Sequence, residues 1–248
     1  MCLIVFAWRP EHALPLVVAA NRDEFYARPS LPLSVWKDAP GVIAGRDLEA
    51  GGTWLGVGPQ GRFAALTNIR NPRQPPAGRS RGELVAEFLR SQQTPETYLA
   101  ELAQRASDYP GFNLLVGSTD EFWHFNSWEG LPQRLSSGIY GLSNAGLDTP
   151  WPKLQRAKLA LAERLDAPRA PALLELLADP QQAPEAALPE TGIGLATERL
   201  LSSIFIASSS YGTRASSALI VRADGRRQLI ERSYGPYGAH LGEVSLEC

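Results

Sequence analysis

A cysteine and a short polar run near the start of the chain are the residue types of a nucleophilic site. Cys2 opens the apolar run CLIVFAW, and the next apolar run ends in the four polar residues Asn21, Arg22, Asp23 and Glu24. A thiolate attacks acyl carbons, a cation favours the thiolate, and amide groups stabilise an oxyanion. The pattern indicates acyl transfer. The alternative is that Cys2 is a buried core residue without a function and that the four polar residues form a solvent-exposed corner between a strand and a loop.

The position of Cys2 could add a base to the thiol. Removal of Met1 is expected to leave an α-amine with a pKa of about 7.7–8.0 on the residue whose thiol titrates at about 8.5. The amine can then accept the thiol proton near neutral pH. A hydrolase of this kind needs the amine and the thiolate together, whereas a binding protein can keep Met1.

A hairpin is needed to bring these residues together. CLIVFAW and LPLVVAAN are apolar runs of strand length, and the turn-like RPEHA separates them. In a hairpin the end of the second strand lies beside the start of the first, so the sequence predicts that Asn21, Arg22 and Asp23 lie near Cys2. Strand alternation places Asn21 and Asp23 on one face and Arg22 and Glu24 on the other.

The remaining chain reads as strands, then helices, then strands. Further strands are predicted in GVIAGRD, GTWLGVG, RFAALTNI, FNLLVGS, EFWHFNS and SSGIYG. Helices are predicted in SRGELVAEFLRS, TPETYLAELAQRA, KLQRAKLALAERL and APALLELLAD, with Ser80 and Thr94 as N-caps of the first two. The last third predicts two or three strands with a hairpin turn at Asp224 and Gly225. This order predicts an α+β fold of two helix-covered sheets, in one domain over residues 1–248.

Composition excludes several classes of function. The 248 residues carry a formal net charge of −2, which argues against nucleic acid or an anionic membrane as the main partner. The two cysteines, Cys2 and Cys248, exclude a disulfide framework and a Cys-rich zinc site, so no metal is expected and a reducing compartment fits. No run approaches the roughly 20 apolar residues of a membrane span. We therefore expect a cytoplasmic protein without integral membrane association.

The chain resembles the NRDE family, also called the transport and Golgi organisation protein 2 family. The resemblance rests on six motifs that occur in order: MCLIVFAW, AANRDEF, GGTWLGV, ALTNIRNP, GLSNAGLDTPWPK and YGTRASSALIV. It implies an N-terminal-nucleophile hydrolase-like fold, a four-layer αββα sandwich of two stacked, mainly antiparallel sheets between helices. The wider fold group includes cysteine acylases such as bile salt hydrolase and penicillin V acylase.

The resemblance also implies roles for individual residues. Cys2 would be the nucleophile, Asp23 would anchor the α-amine, and Arg22 would tune the thiol. Their substrate would be a small molecule with an amide or a thioester bond, and hydrolysis would require no cofactor.

Further positions complete the implied site. Asn144 is the first expected oxyanion donor and Asn68 the second, and Arg214 corresponds to an arginine that the acylases carry late in the chain. Contacts with substrate are expected from Asn21, Glu24 and Trp54.

The family resemblance implies a second function as well, that of a carrier for haem or for acyl-CoA and other lipids. The possible axial haem ligands are His12, His124, His240, Cys2, Cys248 and Tyr211. His124, between aromatic residues, is favoured as a packed strand residue. Four arginines, Arg70, Arg73, Arg79 and Arg81, could meet haem propionates or CoA phosphates, although a solvated loop is the favoured interpretation.

Overall fold

The computed structural model describes residues 2–73 and 78–248. The predicted removal of Met1 and part of the arginine-containing loop, residues 74–77, lie outside them. The chain forms two compact units. Unit 1 consists of the residues up to Ala27, Arg70–Pro72 and Ser137–Cys248, and unit 2 of Arg28–Ile69 and Arg73–Ser136. The prediction of a single domain over residues 1–248 stays a prediction.

Strands dominate both units. In chain order the strands are β1 (Cys2–Trp8), β2 (Leu16–Phe25), β3 (Ser30–Val35), β4 (Ile43–Asp47), β5 (Leu55–Val57), β6 (Phe63–Asn68), β7 (Phe112–Gly117), β8 (Phe122–Asn126), β9 (Pro132–Arg134), β10 (Gly138–Leu142), β11 (Tyr211–Val221), β12 (Arg227–Tyr234) and β13 (His240–Glu247). The α-helices are α1 (Gly82–Arg90), α2 (Pro95–Ala103), α3 (Pro152–Ala162), α4 (Ala170–Leu176) and α5 (Leu195–Leu200).

Unit 1 contains an antiparallel sheet with the strand order β10-β1-β2-β11-β12-β13. The predicted hairpin of β1 and β2 is confirmed, and β2 also pairs along its length with β11. Helices α3 and α4 pack on one face of this sheet. The apolar core between them includes Leu3, Val5, Val17, Ala19, Leu154, Ala157, Leu161, Leu173 and Ile220.

Unit 2 contains an antiparallel sheet in which β3 to β9 follow one another in sequence order. Each strand pairs with the next, so short turns suffice to connect most of them. Helices α1 and α2 lie in the connection between β6 and β7, which are themselves paired. They cover one face of the sheet through a core that includes Leu66, Leu84, Phe88, Leu99, Phe112, Leu114 and Phe125.

The α+β class and the two antiparallel sheets are confirmed. The hairpin turn is confirmed at Gly225, which adopts a φ of +87°. Thr94 caps α2 as predicted, because its side chain accepts a hydrogen bond from the Thr97 backbone N–H. The prediction that Ser80 caps α1 is wrong: α1 begins at Gly82, its N-cap is Arg81, and no side chain caps it. The patterns did not predict β3, β9, β13 or α5.

A glycine allows α3 to lie close to β10. A Cβ atom at Gly141 would lie 2.8 Å from the Leu154 Cγ and 3.0 Å from the Lys158 Cδ. We expect Gly141→Ala to lower the free energy of unfolding by about 1–3 kcal/mol, because the helix must move outward. Urea titration measures this loss. Gly78→Ala is the control, since a Cβ atom at that position would have nothing within 4 Å, and equal losses in both variants would contradict the close-approach explanation.

No helix in the described part of the chain combines the length and the apolar composition needed to cross a lipid bilayer.

Candidate active site

The register of β1 and β2 places the polar residues beside Cys2. Cys2 pairs with Arg22, and Leu3 pairs with Asn21. Asn21 and Asp23 are buried, whereas Arg22 and Glu24 are partly exposed. This alternation and the predicted nearness to Cys2 are both confirmed, because the strand remains regular to its end.

The surroundings of Cys2 determine how readily its thiol ionises. The residue is buried. Burial raises the pKa of the thiol, and the Asp23 carboxylate raises it further. The positive charge of the N-terminal amino group, the Arg22 guanidinium and a hydrogen bond from the Asp23 backbone lower it. The thiol in this state is therefore a weak nucleophile that needs a proton acceptor in order to react.

Asp23 is held by β11. The Thr213 hydroxyl accepts a hydrogen bond from the Ile206 N–H (3.0 Å) and donates one to Asp23 Oδ1 (2.8 Å). The Tyr211 hydroxyl donates to the Asp23 carbonyl at 3.1 Å. Burial raises the pKa of Asp23, whereas the positive charges of Lys153 and of the N-terminal amino group and the Thr213 hydrogen bond lower it. The predicted role of Asp23 as the anchor of the α-amine stays a prediction. Burial and the nearby Asp23 also raise the pKa of Tyr211, which stays a hydrogen-bond donor.

Lys153 is a site residue that the sequence analysis did not identify. It is the second residue of α3 and is only 2% exposed. Among the described residues no group accepts a hydrogen bond from its Nζ. Burial lowers the pKa of Lys153 to about 8, against the opposing effect of the Asp23 carboxylate. The site therefore contains an amine that titrates near neutral pH.

One feature of the sequence pointed to Lys153. Lys153, Leu154, Ala157 and Leu161 share the buried face of α3. A lysine on an apolar helix face needs a partner or a function, since buried lysines are rare.

Arg70 and Glu198 form a buried ion pair in the same unit. Arg70 Nη1 lies 2.5 Å from Glu198 Oε2, and both side chains are 5% exposed. The guanidinium also lies 4.5 Å from the centroid of the Trp151 ring, and Glu198 accepts a hydrogen bond from the Thr191 N–H. The interpretation of Arg70 as part of a solvated loop is therefore wrong, because the carboxylate and the indole replace water around it.

The segment after β10 brings Asn144 toward Cys2. The Ser143 hydroxyl contacts two groups, the Cys2 carbonyl at 3.1 Å and Asn144 Oδ1 at 3.3 Å. The Arg70 N–H donates to the Asn144 carbonyl at 2.8 Å. With its Oδ1 beside the Ser143 hydroxyl, the amide of Asn144 has its Nδ2 as the group able to donate to an oxyanion. Its role as an oxyanion donor stays a prediction.

Asn21 links β2 to three other segments. Its Nδ2 donates to the carbonyls of Leu177 and Ile204, each at 2.9 Å, and its Oδ1 accepts from the Ser216 hydroxyl at 2.6 Å. Leu177 is the C-cap residue of α4, at the helix end where carbonyls lack partners within the helix. These bonds give Asn21 a structural task, and its predicted contact with substrate stays a prediction.

Arg214 occupies an irregularity in β11. Thr213 pairs with Asp23 and Ala215 with Arg22, so Arg214 is an extra residue in the strand. Its Nη1 donates to the carbonyls of Phe25 and Tyr26 at 3.0 and 2.9 Å. Arg214 thus fastens the chain just after β2, and its predicted catalytic role remains a prediction.

The other residues predicted to contact the substrate or the oxyanion are Glu24, Trp54 and Asn68. Glu24 Oε1 accepts a hydrogen bond from the next backbone N–H, that of Phe25. Trp54 and Asn68 belong to unit 2, where Trp54 is buried and Asn68 ends β6. Their contacts with substrate or oxyanion stay predictions.

Two of the residues predicted as possible haem ligands have hydrogen-bond partners within the protein. His124 is buried in β8, as predicted for a packed strand residue, and its Nε2 lies 3.1 Å from Asn113 Oδ1. The Nδ1 of His12 accepts a hydrogen bond from the Leu14 N–H. The haem and acyl-CoA carrier functions stay predictions.

Comparisons with known proteins identify relatives along nearly the whole chain. The family model described as Transport and Golgi organisation 2 matches residues 1–236. Homologues of that name from Mus musculus and Homo sapiens are each 37% identical over 256 residues, which cover 94% of this chain and 93% of theirs. The Drosophila melanogaster protein is 27% identical over 268 residues, covering 94% of this chain and 92% of its own.

Among solved structures, the Caenorhabditis elegans ortholog of N-acylethanolamine-hydrolyzing acid amidase is similar with a TM-score of 0.42 and 11% identity. That similarity covers 88% of this chain and 92% of the other. By the family match and the 37% identity, the chain belongs to the Transport and Golgi organisation 2 family.

Proposed function

We propose that the protein is an acyl hydrolase that uses Cys2 as a nucleophile on a small amide or thioester. The observation that carries the proposal is the cluster around Cys2. A buried thiol lies at a strand end with the guanidinium of Arg22 across from it and the charged groups of Asp23 and Lys153 around it. Nucleophile, cation and carboxylate within one cluster are the components of nucleophilic acyl transfer.

The reaction proceeds in two halves. The thiolate of Cys2 attacks the carbonyl carbon, and the carbonyl electron pair moves to oxygen to form an oxyanion. The oxyanion collapses, the bond to the amine or thiol leaving group breaks, and the leaving group takes up a proton. Water then hydrolyses the thioester on Cys2 and restores the thiol. Asn144 is the proposed donor to the oxyanion in both halves.

Covalent capture tests this function. The untagged protein is mixed with p-nitrophenyl acetate, and its intact mass is followed in a Cys248→Ser background, because Cys248 is exposed. We expect the mass of one acetyl group on Cys2, followed by its loss as the thioester hydrolyses. The same spectrum reports whether Met1 is present.

Two results would contradict the proposal. One is a protein in which Cys2 stays unmodified while Cys248, restored in a parallel sample, becomes acetylated. The other is a Cys2 adduct that never hydrolyses. Either result favours a binding protein over a hydrolase.

A further inference from the structure

We propose that Lys153 is the proton acceptor for the Cys2 thiol, so that the thiol is activated by a side-chain amine and without the α-amine of the chain. The inference deepens the proposed function and rests on it.

The first argument is the unsatisfied state of Lys153. A buried ammonium without a hydrogen-bond acceptor is costly, and buried polar groups are almost always paired. Lys153 Nζ is buried and, within residues 2–73 and 78–248, has no hydrogen-bond partner, the Cys2 sulfur included. A side-chain rotation or one bridging water must therefore connect Nζ and the thiol before the proton moves. Transfer of the Cys2 proton to Nζ creates a thiolate, and the new ammonium then has a counter-ion in its own site.

The second argument is the position of Lys153 in the fold. It stands at the start of α3, whose next residue, Leu154, packs against β10 so tightly that position 141 must be glycine-sized. β10 pairs with β1, and the segment that follows β10 is bonded to the Cys2 carbonyl through Ser143. The lysine is therefore held by the elements that hold the nucleophile.

The third argument concerns the charges that face this pair. The charges of Asp23, Arg70, Cys2 and Glu198 act on Lys153. Those of the N-terminal amino group, Asp23 and Arg22 act on Cys2, and the charges of Asp23 and Cys2 also act on the Tyr211 hydroxyl. Arg70 and Glu198 neutralise each other in their ion pair. Asp23 and the Cys2 thiolate remain as the groups that favour a protonated Lys153, so they stabilise the ammonium that forms when Nζ has taken the thiol proton.

The proton then moves through the reaction as follows. The S–H bond of Cys2 breaks, and the lone pair of Nζ takes the proton. As the tetrahedral intermediate collapses and the bond to the leaving group breaks, Nζ gives that proton to the departing amine or thiol. In the second half Nζ accepts a proton from water, hydroxide attacks the thioester carbon, and the departing Cys2 sulfur takes the proton back.

The experiment measures alkylation of Cys2 by iodoacetamide between about pH 6 and about pH 10, a range that spans the thiol and amine titrations. All proteins carry Cys248→Ser. Three are compared with that parent: Lys153→Met, Lys153→Arg, and a form with two additional residues before Met1, in which Cys2 has no α-amine. Circular dichroism confirms that each one is folded.

We expect Lys153→Met to alkylate about 10-fold more slowly near neutral pH, because the thiolate loses the positive charge that Nζ carries once it has taken the thiol proton. The extended form is expected to keep the parent profile. Lys153→Arg keeps a cation that favours the thiolate but cannot accept a proton. It should alkylate normally and lose an acetyl group from Cys2 at least about 10-fold more slowly than the parent, by the usual contribution of a general base.

An unchanged pH profile in Lys153→Met overturns the proposal. So does a profile that is lost in the extended form, because the α-amine would then be the base. If Lys153→Met does not fold, the test is the rate at which Lys153→Arg loses the acetyl group from Cys2. A rate equal to that of the parent overturns the proposal. Alkylation requires no substrate, so it tests the Lys153 proposal separately from the hydrolase function. If Lys153→Met shifts the pH profile of alkylation but p-nitrophenyl acetate never acetylates Cys2, the hydrolase function is contradicted and the pairing of Lys153 with Cys2 is supported.

Discussion

Cys2→Ala is expected to lower the turnover of a hydrolysed amide or thioester by about 10³- to 10⁶-fold, the loss that follows removal of a catalytic nucleophile. The proposed reaction cannot begin without the sulfur, because the Cys2 sulfur is the atom that accepts the acyl group from the substrate. The fold should survive, because removing one buried sulfur from the end of β1 costs only about 1–2 kcal/mol. Steady-state hydrolysis and urea titration measure the two effects.

Two further variants sharpen this prediction. Cys248→Ala removes the other thiol and should leave turnover unchanged. Cys248 is exposed, and its hydrogen bonds with Arg227 are made by the backbone, which the substitution keeps. Cys2→Ser keeps the size of the side chain but raises the pKa of the nucleophile, and its turnover should fall nearly as far as in Cys2→Ala. Undiminished hydrolysis by Cys2→Ala would exclude Cys2 as the nucleophile.

Asn21→Ala is expected to lower the free energy of unfolding by about 3–5 kcal/mol, since it leaves several buried polar groups without partners. The carbonyls of Leu177 and Ile204 and the hydroxyl of Ser216 all lose the amide that they contact. Part of the site should also loosen, because Asn21 adjoins Arg22 and Asp23. Urea titration gives the stability, and the iodoacetamide rate reports on Cys2.

Ser216→Ala is the matched control for Asn21. It removes one of the same three hydrogen bonds and should cost about 1–2 kcal/mol. If Asn21→Ala costs no more than Ser216→Ala, the two carbonyl contacts contribute little and the amide is free for another task. A large loss of stability with an unchanged alkylation rate would show that Asn21 supports the fold and not the site.

Local patterns were enough to predict the part of the site that lies within one hairpin. The apolar runs around RPEHA predict both strands, and the strand period alone decides that Asp23 and Arg22 face opposite sides. These features depend on residues fewer than 25 positions apart, where turn and alternation rules apply directly.

Contacts between distant segments escaped the same reasoning. Arg70 lies 128 positions before Glu198, and neither residue stands in a pattern that indicates an ion pair. The extra residue at Arg214 shifts the pairing of β11 with β2, and an irregularity of this kind leaves no periodic signal. Lys153 was visible as a lysine on an apolar helix face, but the strand that this face covers could not be inferred from α3 alone.

The central place of β2 in its sheet bears on how the protein is made. Asp23 of β2 and Tyr211 of β11, which bond to each other, are 188 positions apart. At about 5–20 residues per second, a ribosome needs roughly 10–40 s to synthesise the chain between them. Throughout that interval the nascent chain carries an apolar strand with one unpaired edge, which is the kind of edge that recruits other chains. We therefore expect the yield of folded protein to depend on translation speed and on chaperones that shield the emerging hairpin.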